Sequence, residues 1–475
     1  MSILKAYLMP HPPLAVPSVG RGQESQIEAT LSAIRRVSEE ISRLTPESII
    51  VITPHSVVYA DYFHISPGKG AEGNFSRFGA TSTVINAEYD ISLSKEIERL
   101  AENAKIPAGE LGERDKSLDH GTMVPLYYIN QAYPDYKLVR IAQSGMEPAT
   151  HYRLGQIIAT AAKNLDRKTV LIASGDLSHK LSTEGPYGFA NEGPAFDREV
   201  TEALQNADFL RLFNITDENR EKAAECGYNS LMVMAGCFDG SRVKAKLLSY
   251  EGPLGVGYAV ASFGPEGESD ATTDHSILDR NILKQFEEEA LSKSKKLRQC
   301  EDHYQALARR SLEHAISSVG TAESGNALPV PENLPPEMLD RRAGVFVSLH
   351  KNGRLRGCIG TIAPTCVNIA QEITQNAVSA GLRDHRFDPV TLDELPFLSY
   401  KVDVLSEPEP ITDASTLDVK RYGVIVSSGH KRGLLLPNLD GVDTVSQQIS
   451  IARQKAGVPE GAEISLERFE VVRHG

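Results

Sequence analysis

The sequence predicts an α/β protein, a mixed sheet flanked by helices, followed by a smaller α+β half. Three observations carry this. Apolar, β-branched runs alternate with helix-period stripes up to Phe263. A polar stretch without periodicity then begins at Gly264 and runs to Asp274. Beyond it, strand-like runs are joined by a hairpin signal and gather around few helices.

The elements follow in order. The apolar run Tyr7-Leu8-Met9 stops at Pro10 and reads as the end of a buried strand. Ile27, Leu31, Ile34, Val37, Ile41 and Leu44 recur every three or four residues, which predicts an amphipathic helix over 26–44. A strand over 47–53 follows directly. Further strands are expected at 137–142 and 169–173, with helices near 152–163, 194–205 and 228–237, and closing strands near 244–250 and 256–263. The polar stretch reads as a linker, and 276–299 as a charged helix. Tyr304, Leu307, Ala308, Leu312, Ala315 and Ile316 mark a helix opening a second domain. There, strands at 344–350 and 354–359 flank Asn352-Gly353, a two-residue turn signal. Strands at 400–405, 424–427 and 433–437 and a helix near 367–379 complete it. The expected domains are therefore 1–264 and 300–475, with 265–299 connecting them.

Composition narrows the function classes. A chain of 475 residues with 41% hydrophobic content has room for two or three domains. It has no apolar run long enough to span a membrane. Its start lacks the charged, apolar and small-residue zones of a signal peptide, so a cytoplasmic protein is expected. The net charge of −13 argues against binding along a nucleic-acid backbone. Five cysteines without Cys-x-x-Cys spacing indicate neither a disulfide framework nor a structural zinc site. No cysteine triplet suits a radical SAM cluster. Gly20-Arg21-Gly22 lacks the spacing of a phosphate loop.

Histidines at strand ends are the strongest functional signal. His11 follows the first strand in Pro10-His11-Pro12-Pro13, and His55 follows the second in Thr53-Pro54-His55-Ser56. Strand ends are where sites form in open α/β sheets, and neutral imidazole is the commonest transition-metal ligand. His120 stands between a turn and an apolar run in Asp119-His120-Gly121-Thr122. His179 ends the polar turn Ser174-Gly175-Asp176-Leu177-Ser178 after a buried strand. Glu225 and Cys226 stand side by side before the helix at 228; a carboxylate there also fits a simple cap.

The order His-Pro-Pro, Thr-Pro-His-Ser, Asp-His-Gly-Thr, Ser-Gly-Asp-Leu-Ser-His and Glu-Cys-Gly across 1–264 resembles class III extradiol dioxygenases of the LigB type and the related Memo-like proteins. The resemblance implies a non-haem Fe(II) site with His11, His55 and Glu225 as ligands. It makes His179 the acid/base group, and gives His120 the stabilisation of charge on oxygen or substrate. The expected substrate is a catechol or related small aromatic. Memo-like relatives carry Cys where the dioxygenases use Glu, and this chain offers both. Glu225 is the expected ligand for Fe(II), while Cys226 facing the metal would favour zinc, copper or a redox role. Asp119 and Asp176 are candidates to orient a neighbouring His.

In the second half, Leu355-Arg356-Gly357-Cys358-Ile359-Gly360 resembles the AMMECR-family signature, supported by Asp384-His385-Arg386-Phe387 and Gly433-Leu434-Leu435-Leu436-Pro437. Cys358 reads as a packing residue or a nucleophile, with His385 and Arg386 expected near Arg356 and Cys358. The fusion resembles the AmmeMemoRadiSam system, which implies a radical SAM protein as partner. The dioxygenase resemblance implies a homo-oligomer. Two other readings remain open on the sequence: a metal enzyme that does not use dioxygen, of lyase or hydrolase type, and a binding or scaffold protein.

Overall fold

The computed structural model describes residues 2–112, 116–266, 281–318, 328–439 and 441–475. It divides into two compact units, Met1–Glu287 and Glu288–Gly475, a division that falls inside the helix Ile282–Gln299. Most of the linker expected after Gly264 lies in 267–280, outside the described residues.

The first unit is built on a six-stranded sheet in the order Lys137–Ala142, Ser48–Thr53, Thr169–Ser174, Ile3–Met9, Tyr258–Pro265, Val243–Glu251. The first four strands are parallel and the last two antiparallel, so the sheet is mixed. Ser48–Thr53 and Thr169–Ser174 are buried along their whole length, which is why they read as continuous apolar runs without alternation. Strand geometry sends successive side chains to opposite faces. Tyr7, Met9, Ile49 and Val51 accordingly pack with Ile34 and Val37 of helix Glu28–Leu44 on one face. Ala6, Leu8, Ile50 and Ile52 pack with Leu154 and Ile158 of helix Pro148–Asn164 and Leu231 of helix Tyr228–Gly236 on the other.

The four parallel strands end at one edge, at Met9, Thr53, Ala142 and Ser174. Met9 pairs with Ser174, and Ile52 with Ala173. The loops carrying His11 and His55 therefore flank the end of the central strand that leads to Asp176 and His179. The apolar run after His120 is a helix, His120–Ala132, capped by Asp119, whose carboxylate accepts the Thr122 amide at 3.0 Å. Two further elements are the hairpin Gly70–Phe75/Ala80–Glu88, which no apolar run signals, and the helix Ile91–Asn103, capped by Asp90 and buried through Leu93, Ile97 and Ala101.

The second unit is antiparallel, hence α+β. One sheet runs Arg354–Gly360, Val345–Lys351, Leu398–Leu405, Val471–His474; helices His303–Ser317 and Ile369–Leu382 pack on it through Leu307, Leu312, Ile373 and Ala377. Asn352 (φ 53°) and Gly353 (φ 84°) form the turn between its first two strands, both in the left-handed region that a tight hairpin requires. The other sheet runs Glu409–Ile411, Ser465–Phe469, Gly423–Ser428, Lys431–Leu435 and carries helix Val445–Lys455.

Candidate metal centre

The loops at the sheet edge bring His11, His55, His120, His179, Asp176 and Cys226 together. The Nε2 atoms of His11 and His55 lie 3.0 Å apart, and Cys226 Sγ lies 3.6 Å from His11 Nε2. His11, His55 and Cys226 thus offer three donor atoms within 4.8 Å of one another. Asp176, His179 and Cys226 form a second such group, with His179 Nε2 3.8 Å from the same sulfur. The His120 ring stacks on His55 (centroids 4.2 Å) and meets His11 edge-on at 5.4 Å.

Local hydrogen bonds fix the orientation of the His11 ring. Ser174 Oγ donates to the Gly121 carbonyl at 2.5 Å, which uses its only proton. The 2.9 Å contact between Ser174 Oγ and His11 Nδ1 must then run from Nδ1–H to the serine. A neutral His11 keeps its lone pair on Nε2, pointed at His55 and Cys226, as a metal ligand requires. Neither Asp119 nor Asp176 orients a histidine ring in the way expected. Asp119 is occupied by Thr53 Oγ1 (2.6 Å) and Thr122, with Arg140 at 3.7 Å; Asp176 accepts the His11 backbone amide at 3.0 Å. Ser174 was missed because a serine ending a strand carries no distinctive signal.

The structure turns Cys226, and not the expected ligand Glu225, toward the histidines. Glu225 Oε2 accepts the Tyr228 amide at 2.7 Å and Oε1 lies 4.0 Å from Arg220. The first turn of helix Tyr228–Gly236 has amide protons without intrahelical partners, and the carboxylate satisfies one of them. Cys226 is held in place by its neighbours. The amides of Cys226 and Gly227 both reach the Asp176 carbonyl (3.4 and 3.0 Å), the Asp176 amide points at Sγ (3.3 Å), and Gln143 Nε2 donates to the Cys226 carbonyl (2.9 Å). Gly175 permits this approach: a Cβ there would lie 2.1 Å from the Gly227 Cα.

Desolvation governs the protonation of these groups. Burial pushes His55 and His179 down to about 4, with neighbouring histidines adding to the shift, and His11 and His120 are lowered from the same first cause. Burial also raises Asp176 to about 7 and holds the Cys226 thiol well above its ordinary value. Every group is thus driven to its neutral form by desolvation. A metal ion reverses this: it takes imidazole lone pairs and stabilises thiolate and carboxylate. The donor set fits a transition metal of borderline or soft character.

In the second unit, Cys358 Sγ accepts from Ser348 Oγ at 3.2 Å, and its amide donates to Asp384 at 2.9 Å. Arg386 pairs with Asp384 (2.7 Å) and reaches the Cys358 carbonyl (3.1 Å). Arg356 instead makes a two-pronged pair with Glu394, at 2.9 and 3.0 Å. His385 is exposed. The structure brings together Cys358 and Arg386, in an arrangement that buttresses the hairpin.

The family model described as the catalytic LigB subunit of aromatic ring-opening dioxygenase matches residues 5–261, and the AMMECR1 model matches 305–474. Protein CA_C1420 of Clostridium acetobutylicum is 40% identical over 481 aligned residues, covering 100% of this chain and 99% of its own length. A Thermotoga maritima protein is 52% identical over 152 residues, 32% of this chain and 87% of its own. Among solved structures, protein PH0010 of Pyrococcus horikoshii is similar at 28% identity and TM-score 0.33, covering 36% of this chain and 88% of its own. Protein JW3007 of Escherichia coli K12 is similar at 16% identity and TM-score 0.39, covering 55% and 99%. No helix among the described residues is long and apolar enough to cross a membrane. With the match running from strand Ile3–Met9 to strand Tyr258–Pro265 and thus enclosing every residue of the histidine cluster, the chain belongs to the LigB family, and an AMMECR1 domain follows in the same chain.

Proposed function

We propose that the first unit is a metal-dependent enzyme acting on a catechol or related small aromatic, with His11, His55 and Cys226 as metal ligands. The observation that carries this reading is the convergence of the His11 and His55 Nε2 atoms and Cys226 Sγ at the sheet edge. The metal, Fe(II) by family relationship, would bind and acidify the substrate hydroxyls and supply the redox chemistry with dioxygen. His179 is the acid/base group. Its neutral imidazole at pH 7 takes a proton from a substrate hydroxyl and returns it later. His120 stacks on the ligand His55 and lines the cluster as a hydrogen-bond donor toward developing negative charge. His11 and Asp176 are buried while His55 is exposed and Cys226 half-buried, so a substrate can reach the cluster from solvent. The test is oxygen uptake by anaerobically iron-loaded protein across a catechol panel. Uptake that requires His179 supports the reading, and none with any catechol sinks its oxidative part.

A second reading rests on Cys226. A thiolate in place of a carboxylate favours zinc or copper over Fe(II), which suits a lyase or hydrolase working without oxygen on a substrate presented by a radical SAM partner. Turnover that persists anaerobically with zinc would select it.

A further inference from the structure

We infer that the first unit carries a second small-molecule site, for a phosphate-bearing anion, at the sheet end opposite the histidine cluster. A cavity of about 350 Å³ lies there between helix Glu28–Leu44 and the strands Ile3–Met9, Tyr258–Pro265 and Val243–Glu251. That volume is within the range of small-ligand pockets. Lys5, Arg36, Arg43, Lys244 and Lys246 line it, against two carboxylates, Glu39 and Glu40. On a chain with a net charge of −13, such a gathering of cations in one concavity is a local reversal of sign.

The sequence places these cations by two periodicities. Arg36, Glu39, Glu40 and Arg43 recur at helical spacing on one stripe of Glu28–Leu44. Lys246 pairs across the sheet with Ser262, and Lys244 with Gly264, so both lysines share a face with these two lining residues. Glu40 is paired with Lys5. Arg36, Arg43 and Lys246 make no hydrogen bond or ion pair among the described residues, whereas most arginines elsewhere are tied to a carboxylate or carbonyl. Arg36, Arg43 and Lys246 are exposed charges that outnumber the free carboxylate Glu39 beside them, and an anion between them lowers their mutual repulsion.

Two neighbouring positions shape the wall of the cavity. Tyr7 lies two residues after Lys5, on the same sheet face, and pairs with Ser262. Its hydroxyl is buried behind the cavity wall, against the Glu40 carboxylate and near Arg43. Gly264 leaves the space that the Lys5 stem crosses: a Cβ there would lie 3.3 Å from Lys5 Cγ and Cε. Two guanidinium forks and ammonium groups around a compact cavity suit phosphate oxygens, which accept from several donors at once. The site is separate from the metal centre, because His11 follows the far end of the strand that begins near Lys5, roughly 15–20 Å away at the rise of a strand.

The test uses the full chain, with inorganic pyrophosphate titrated calorimetrically. Saturable binding is expected, weakened at least tenfold in Arg36→Glu/Lys246→Glu, but unchanged in His11→Ala and in Lys163→Glu/Lys137→Glu, which alters the same charge elsewhere. No saturable binding, or equal weakening by both charge reversals, would overturn the site. Loss in His11→Ala with retention in Arg36→Glu/Lys246→Glu would also overturn it, because the anion would then sit at the metal centre.

Discussion

Ser174 Oγ, 2.9 Å from His11 Nδ1 and itself donating to the Gly121 carbonyl, decides which nitrogen of His11 is free to bind metal. Ser174→Ala removes the acceptor that holds the Nδ1–H tautomer and the ring angle. Metal affinity should fall about 10- to 100-fold, the usual cost of losing an outer partner of a metal-bound histidine. Chelator competition measures it, and unchanged affinity would remove Ser174 from the account.

His179 Nε2 lies 3.8 Å from the sulfur of Cys226, the proposed ligand, but is assigned to proton transfer. His179→Gln should retain metal and fold while turnover falls by about 10²–10⁴, the range for a lost acid/base group. Metal lost in parallel with activity would make His179 a ligand instead.

Gly175 and Gly227 are in backbone contact, and that contact sets the position of Cys226. Gly175→Ala would force a Cβ to within 2.1 Å of Gly227 Cα, an overlap only backbone movement can relieve. The variant should unfold at lower temperature and bind metal more weakly. A variant with wild-type melting and metal content would contradict the role given to this contact.

Glu225 is assigned to the helix and to Arg220. Burial raises the Glu225 pKa, outweighing Arg220 and the Tyr228 and Gly227 amides, so the neutral isostere in Glu225→Gln should change stability by less than about 1 kcal/mol. Denaturant unfolding reads the change; the metal content should not move.

Acid stability of the second unit should depend on Glu394. Burial raises the Glu394 pKa, but the Arg356 fork and the Thr391 amide outweigh it and bring it to about 2. A carboxylate with a folded value below its unfolded value of about 4.5 stabilises fully above 4.5. That contribution is lost as pH falls toward 2. The stability difference between wild type and Glu394→Gln should therefore be largest near neutrality and shrink between about pH 4.5 and 2. A difference independent of pH would show that packing, not charge, holds the pair.

Much of this was legible in the sequence. The buried strands Ser48–Thr53 and Thr169–Ser174 announce themselves because burial on both faces demands unbroken apolar runs, and the stripe of Glu28–Leu44 fits a single helix face. His11, His55, His120 and His179 were identifiable because each sits at a strand or helix end. The choice between Glu225 and Cys226 was not. Both flank the same helix start, and which one faces the histidines depends on the turn made by the Asp176 carbonyl with the Cys226 and Gly227 amides, a tertiary contact across some fifty residues. The hairpin Gly70–Phe75/Ala80–Glu88 was hidden for another reason: it is half exposed, so no apolar run marks it.

The most direct test is the metal content of anaerobically purified protein, wild type beside Cys226→Ala and Glu225→Gln. About one metal ion per chain is expected in wild type and Glu225→Gln, and its loss in Cys226→Ala. Metal kept in Cys226→Ala and lost in Glu225→Gln would contradict that expectation, and restore the carboxylate as the third ligand.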